Sequence, residues 1–139
     1  MALFSLARRS EAEATFDTSL SAFLRGFSIE VMPRTAEKVE DFKTLLPAGT
    51  RVYIAHIEGT PIEDMVATAK RIASDGYPVM PHFPARIVKD AETLENWIAM
   101  YQGEAGVDQA LLLAGGVTTP HGDFSDSVHL TAQVLSVFM

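Results

Sequence analysis

The sequence predicts an α/β domain of four β–α units whose short strands form one parallel sheet behind an amino-terminal leader helix. Three observations carry this expectation. Short apolar runs rich in β-branched residues alternate with longer amphipathic stretches. The alternation recurs roughly every 25 to 30 residues, the length of a β–α unit. The chain has 139 residues, 47% of them hydrophobic, enough for one core and too few for two ordinary domains. Such alternation implies parallel strands joined by right-handed crossovers. The expected division is a leader over residues 1–26 and the domain over 27–139.

The leader helix is expected over about Thr15 to Arg25, with Phe16, Leu20, Phe23 and Leu24 on one side. The first strand spans about Phe27 to Met32 and stops at Pro33. Thr35 can cap a helix on which Val39, Phe42, Leu45 and Leu46 recur until Pro47 and Gly49. Arg51 to Ile57 is the second strand. Thr60-Pro61-Ile62-Glu63 has the form of a capping box with proline at the first helical position. Ile62, Met65, Val66, Ala69 and Ile72 then form an apolar stripe ending at Gly76. Tyr77 to Phe83 is the third strand, and its Pro78 and Pro81 suggest strand ends or an irregular rim. Asp90 can cap a third helix with Leu94, Trp97, Ile98 and Tyr101 inward, ending before Gly103. Ala110 to Ala114 reads as a strand covered on both faces, and a last helix runs from about Ser125 to Ser136.

Composition excludes several classes. Eleven Lys and Arg against eighteen Asp and Glu give a net charge of −7, which repels a phosphate backbone, so nucleic acid is not an expected partner. Without cysteine there is no disulfide framework, thiolate zinc site or cysteine nucleophile. No apolar run approaches the roughly 18 residues of a membrane span, and the order of apolar and charged residues at the start is the reverse of an export signal. A cytoplasmic protein without a membrane partner is expected. The sequence contains no P-loop, dinucleotide fingerprint, nucleophile elbow or zinc-binding His-Glu-x-x-His helix.

In parallel α/β sheets ligands bind at the carboxyl ends of the strands. Four groups reach that rim. Glu30 sits between Ile29 and Val31, where desolvation would favour the protonated acid; it either pairs with a neighbouring cation or amide or works as a general acid. His56 and Glu58 share one side of the second strand by alternation, able to pair, to hold a ligand, or to act structurally. His82, between Pro81 and Pro84, has little backbone freedom, which suits either a ligand contact or a structural bond. Gly115 and Gly116 either form a turn or let a planar ring or phosphate approach the backbone. His121, Asp123 and His129 read as surface residues. Together Glu30, His56, Glu58, His82 and the Gly-Gly loop suit a flat polar ligand or a divalent metal.

The segment Ser28-Ile29-Glu30-Val31-Met32-Pro33-Arg34-Thr35 resembles the first strand of methylenetetrahydrofolate reductases. Met80-Pro81-His82-Phe83 is similar to that family's third-strand Pro-His motif, and Leu111 to Gly116 to its fourth-strand run. The resemblance covers about Ser28 to Leu135 and points to a divergent branch. It implies the first half of a (βα)8 barrel, a non-covalent FAD, and hydride transfer from NADH or NADPH through the flavin to methylenetetrahydrofolate, giving methyltetrahydrofolate. By position it implies that Glu30 is the acid protonating the folate, that His82 lies beside the flavin, and that Ala55, His56, Gly115 and Gly116 lie along the cofactor, with no metal. Two places differ from the family: Val117 stands where an aspartate is usual, and Ala55-His56 where Thr-Tyr is usual.

A full barrel needs about 250 residues. Four units therefore predict an amino-terminal half whose open edges are covered by a second copy or another half-barrel, or else a fragment, and the apolar ending at Val134 to Met139 favours truncation. Little or no reductase activity is expected of the chain alone. The alternatives are a metal-dependent hydrolase built on His56, Glu58 and His82, and a non-catalytic module, either a flavodoxin-like sheet or a folate-binding remnant.

Overall fold

A computed structural model describes residues 20–138, the last two by their backbone alone. Four strands, β1 (Ser28–Val31), β2 (Arg51–Ile54), β3 (Val79–Pro84) and β4 (Leu111–Leu113), form one sheet in the order β1-β2-β3-β4. Every neighbouring pair is parallel. The helices are α1 (Pro33–Ala36), α2 (Ile62–Ser74), α3 (Ala91–Ala105) and α4 (Ser127–Phe138). The α/β class with a parallel sheet is as expected. The flavodoxin-like alternative requires a reversal of strand order, and this order has none.

Consecutive strands lie side by side, so right-handed crossovers all step the same way and bring the connecting helices to one face. Ile29, Val31, Val52, Ile54, Val79, Phe83 and Leu112 join the core on that face with Met65, Val66, Ala69 and Ile72 of α2 and Leu94 and Tyr101 of α3. Alternation sends Ser28, Glu30, Arg51, Tyr53, Met80, His82 and Leu111 to the other face, where Glu30 is in register with Tyr53 and Tyr53 with Met80. Leu111 points to the face away from the helices and is 38% exposed, so β4 is not covered on both faces as expected.

The helix expected between β1 and β2 is not continuous. α1 lasts four residues, with Thr35 bonding back to the Met32 amide at 2.9 Å from inside the helix, and a separate 3₁₀ turn (Phe42–Thr44) is capped by Asp41. The reason lies in α2 and the turn that follows it. Arg71 donates to the carbonyl oxygens of Ala36 (3.0 Å), Val39 and Glu40 (3.3 Å), and the Tyr77 hydroxyl donates to Leu46 O at 3.0 Å. Those donors satisfy the carbonyls that a longer helix would have used.

Other boundaries also move. The Thr60 capping box does not form: Pro61 is the residue before α2, no side chain caps it, and the Thr60 carbonyl accepts from His56 instead. Asp90 caps α3 as expected, its carboxylate accepting from the Thr93 amide at 2.8 Å. α3 continues through Gly103 and ends where Gly106 adopts φ 63°, a left-handed conformation that glycine enters without steric cost. β3 runs through Pro81 rather than breaking there. Pro78 O bonds to Val52 N on β2, so alternate residues, Pro81 included, face β4, whose pairing begins only at His82. The missing proline N–H thus costs no ladder bond.

Of the leader segment, residues 1–19, which include positions 15–19 of the expected helix and its Phe16, lie outside the described ones. Residues 20–23 are helical, and the apolar side chains expected on one side are exposed there, Phe23 at 85%. Among the described residues no helix is long and apolar enough to cross a membrane.

Replacing Arg71 with alanine removes its hydrogen bonds to three carbonyls of the β1–β2 connection, of which Ala36 O keeps the Val39 amide. It is expected to lower the free energy of unfolding by about 2 kcal/mol, measured by urea denaturation, with Arg71→Lys recovering only part because an ammonium lacks the planar fork.

Candidate functional site

Two features occupy the carboxyl-terminal part of the sheet. The first is an acid–imidazole pair on the face that carries no helix among the described residues, hereafter the helix-free face. Glu30 Oε2 lies 3.4 Å from His82 Nε2, with the carboxylate side chain 59% exposed and the imidazole 10%. The separation suits a charge contact, but the geometry is not that of a hydrogen bond, and Nε2 is buried without a hydrogen-bond partner. The Tyr53 ring meets His82 edge-on with centroids 6.1 Å apart. Sequence reasoning placed Glu30 in a desolvated strand interior. In this chain the carboxylate is solvent-facing, because β1 is an edge strand and no connecting helix crosses its face.

The second feature is a rim cleft of about 560 Å³ between the β2 and β4 loops, lined by His56, Glu58, Pro84, the Gly116–Thr119 turn and His121. β2 ends at Ile54, so strand alternation no longer governs His56 and Glu58, and they diverge. His56 turns inward: its ring lies 4.8 Å from Trp97, and Nε2 lies 3.1 Å from the Thr60 carbonyl. A carbonyl only accepts, so Nε2 carries the proton and Nδ1, buried and unpartnered, is left as an acceptor. Glu58 turns outward and meets His121, Oε1 to Nε2 2.8 Å, joining the two loops across the cleft. His121, read as a surface residue from sequence, belongs to this wall. Its partner is 63 positions away, so no local signal marked it.

The β4 loop is held from the 3₁₀ turn after β3 (Ala85–Ile87). Arg86 donates from Nε to Ser125 O at 2.8 Å and from a terminal nitrogen to Val117 O at 3.2 Å. Gly115 has φ 92°, and a Cβ there would lie 2.9 Å from the Pro84 side chain, so packing on Pro84 already requires glycine at this position. Gly116 is exposed, and a methyl group on its Cα would meet nothing within 4 Å, which leaves its backbone approachable. Ala55 is buried, and its amide extends the ladder to Val31 O at 2.8 Å.

The structure therefore brings Glu30 to His82 and sets His56 and Gly116 on the rim cleft. It separates His56 from Glu58, and among the described residues no three His, Asp or Glu side chains assemble to hold a metal ion. The trio required by the hydrolase alternative does not converge. No protein-family model matches the chain.

Burial lowers the His56 pKa below its ordinary 6.5; the Thr60 carbonyl opposes this and nearby His82 adds to it. Burial likewise lowers that of His82, with the Glu30 carboxylate pulling upward. A histidine harder to protonate when folded makes the unfolded chain the better proton acceptor, so stability falls as pH drops below about 6.5. Urea midpoints measured between about pH 7 and 5 are expected to decline, and His56→Gln is expected to flatten that decline while lowering stability at neutral pH.

Proposed function

We propose that the chain is a methylenetetrahydrofolate reductase-like flavin half-barrel of one-carbon metabolism, in which Glu30 is the acid that protonates the folate. The observation that carries this reading is the meeting of Glu30 and His82, from two of the resembling motifs 52 positions apart, on the helix-free face of an unreversed parallel sheet. Strand order β1-β2-β3-β4 with parallel pairing is that of the first four units of a (βα)8 barrel. On this reading the helix-free face is the barrel interior, and a second half-barrel covers it and the two open edges.

The rim cleft fits a flavin in its donor set. His56 Nδ1 is a buried acceptor in want of an N–H, which the imide of a flavin ring carries, and the Gly116 backbone with the Thr118 and Thr119 hydroxyls suits ring oxygens and ribityl hydroxyls. His56, Gly116 and the two threonines would hold the group; when bound, FAD supplies a hydride relay between NAD(P)H and the folate methylene carbon. The Val117 side chain offers neither charge nor hydrogen bond, so at this position the side chain contributes packing alone. Ala55 and Gly115 contribute by shaping the strand ends, and Glu30 by delivering a proton.

Purified chain incubated with FAD and desalted is expected to retain visible flavin absorbance, and His56→Leu to lose most of it. Anaerobic NAD(P)H oxidation with methylenetetrahydrofolate is expected to be little or none for the chain alone. Any turnover found is expected to drop at least about 100-fold in Glu30→Gln, the scale of a lost general acid. Absence of retained flavin in the presence of excess FAD would overturn the reading.

A further inference from the structure

We propose that His82 is a positioning residue for Glu30: through Nε2 it orients the carboxyl group over the helix-free face and shares the proton that the acid delivers. The inference rests on the proposed function for its substrate, and on the structure of the pair for its chemistry. Nε2 of His82 is a buried nitrogen without a hydrogen bond, and the carboxylate oxygen 3.4 Å away is the group placed to satisfy it. The two sides of the contact differ in freedom. His82 is in β3 between Pro81 and Pro84, with the Tyr53 ring against its edge, whereas Glu30 is more than half exposed on an edge strand. Closure to hydrogen-bond distance therefore needs only a rotation of the glutamate, and such contacts commonly tighten when a substrate is bound.

Among the described residues the ionisable groups on the faces around His82 are few. β1 supplies Glu30; β2 supplies Tyr53 and, two residues earlier on the same face, Arg51; the loop after β2 supplies His56; and β4 opposes His82 with Leu111. Glu30 is the only anion of this set. Burial favours the neutral imidazole, whose Nε2 lone pair can accept from a protonated carboxyl. On proton delivery the Glu30 O–H bond breaks, an N–H bond forms on the pterin, the pair is left with one negative charge, and water returns the proton.

The test is a histidine-resolved NMR titration of the full chain, wild type against Glu30→Gln. The carboxylate stabilises the imidazolium, so removing its charge is expected to lower the His82 midpoint by about 0.5 pH unit or more, allowing for its exposure. A smaller change overturns the proposal. Should His82 stay neutral throughout the folded range, the Glu30 carboxyl carbon is followed instead in wild type and His82→Phe; a shift of that size supports the pair, and an unchanged midpoint overturns it. Flavin retention with uncoupled midpoints would leave the proposed function standing without His82 in this role. Coupled midpoints without flavin retention would leave the pair standing and remove the flavin.

Discussion

The structure depends on the absence of any reversal in strand order. With β1 to β4 side by side and parallel, each crossover steps in the same direction and the connecting helices share one face. The two-residue period of a strand then sorts the side chains. Val52, Ile54 and Phe83 enter the core beneath the helices, while Glu30, Tyr53 and His82 take the opposite face, which the same sheet leaves open. A polar residue is tolerated inside an apolar strand here because it points away from the core.

Two arginines give the irregular connections their shape. Arg71 serves the carbonyls of Ala36, Val39 and Glu40; Arg86 serves those of Val117 and Ser125. Loops next to a sheet must satisfy their backbone acceptors, and a guanidinium with five donors in a planar fork can do this at several carbonyls together. Gly122 completes the rim by letting the β4 loop approach the Lys89 carbonyl more closely than any side chain would permit. The cleft wall is thus set by structural contacts, and its remaining polar groups are His56, Glu58, His121 and the two threonines.

His56 and His82 show how one chemistry is divided by surroundings. Both are buried, and both are held towards the neutral form. His56 has a carbonyl at one nitrogen and Trp97 against its ring, which fixes its tautomer and orientation. His82 has no such anchor at Nε2 and faces a carboxylate. The first is left with a free acceptor nitrogen, the second with a nitrogen that faces an acid.

From the sequence alone the α/β class, the four strands, the apolar stripe of α2 and the Asp90 cap could be read, because each is a local pattern of period or punctuation. The rim residues Glu30, His56 and His82 could be named for the same reason, since strand ends are marked by prolines and loops. Their partners could not. Whether Glu30 was buried, whether His56 met Glu58, and that His121 closed the cleft all depend on which face and which loop come together. The break in the helix before β2 was equally hidden, because its cause is Arg71, some thirty residues later. Local propensity sets the elements, but contacts between distant residues exist only once the sheet has brought them within reach, and those contacts decided the site.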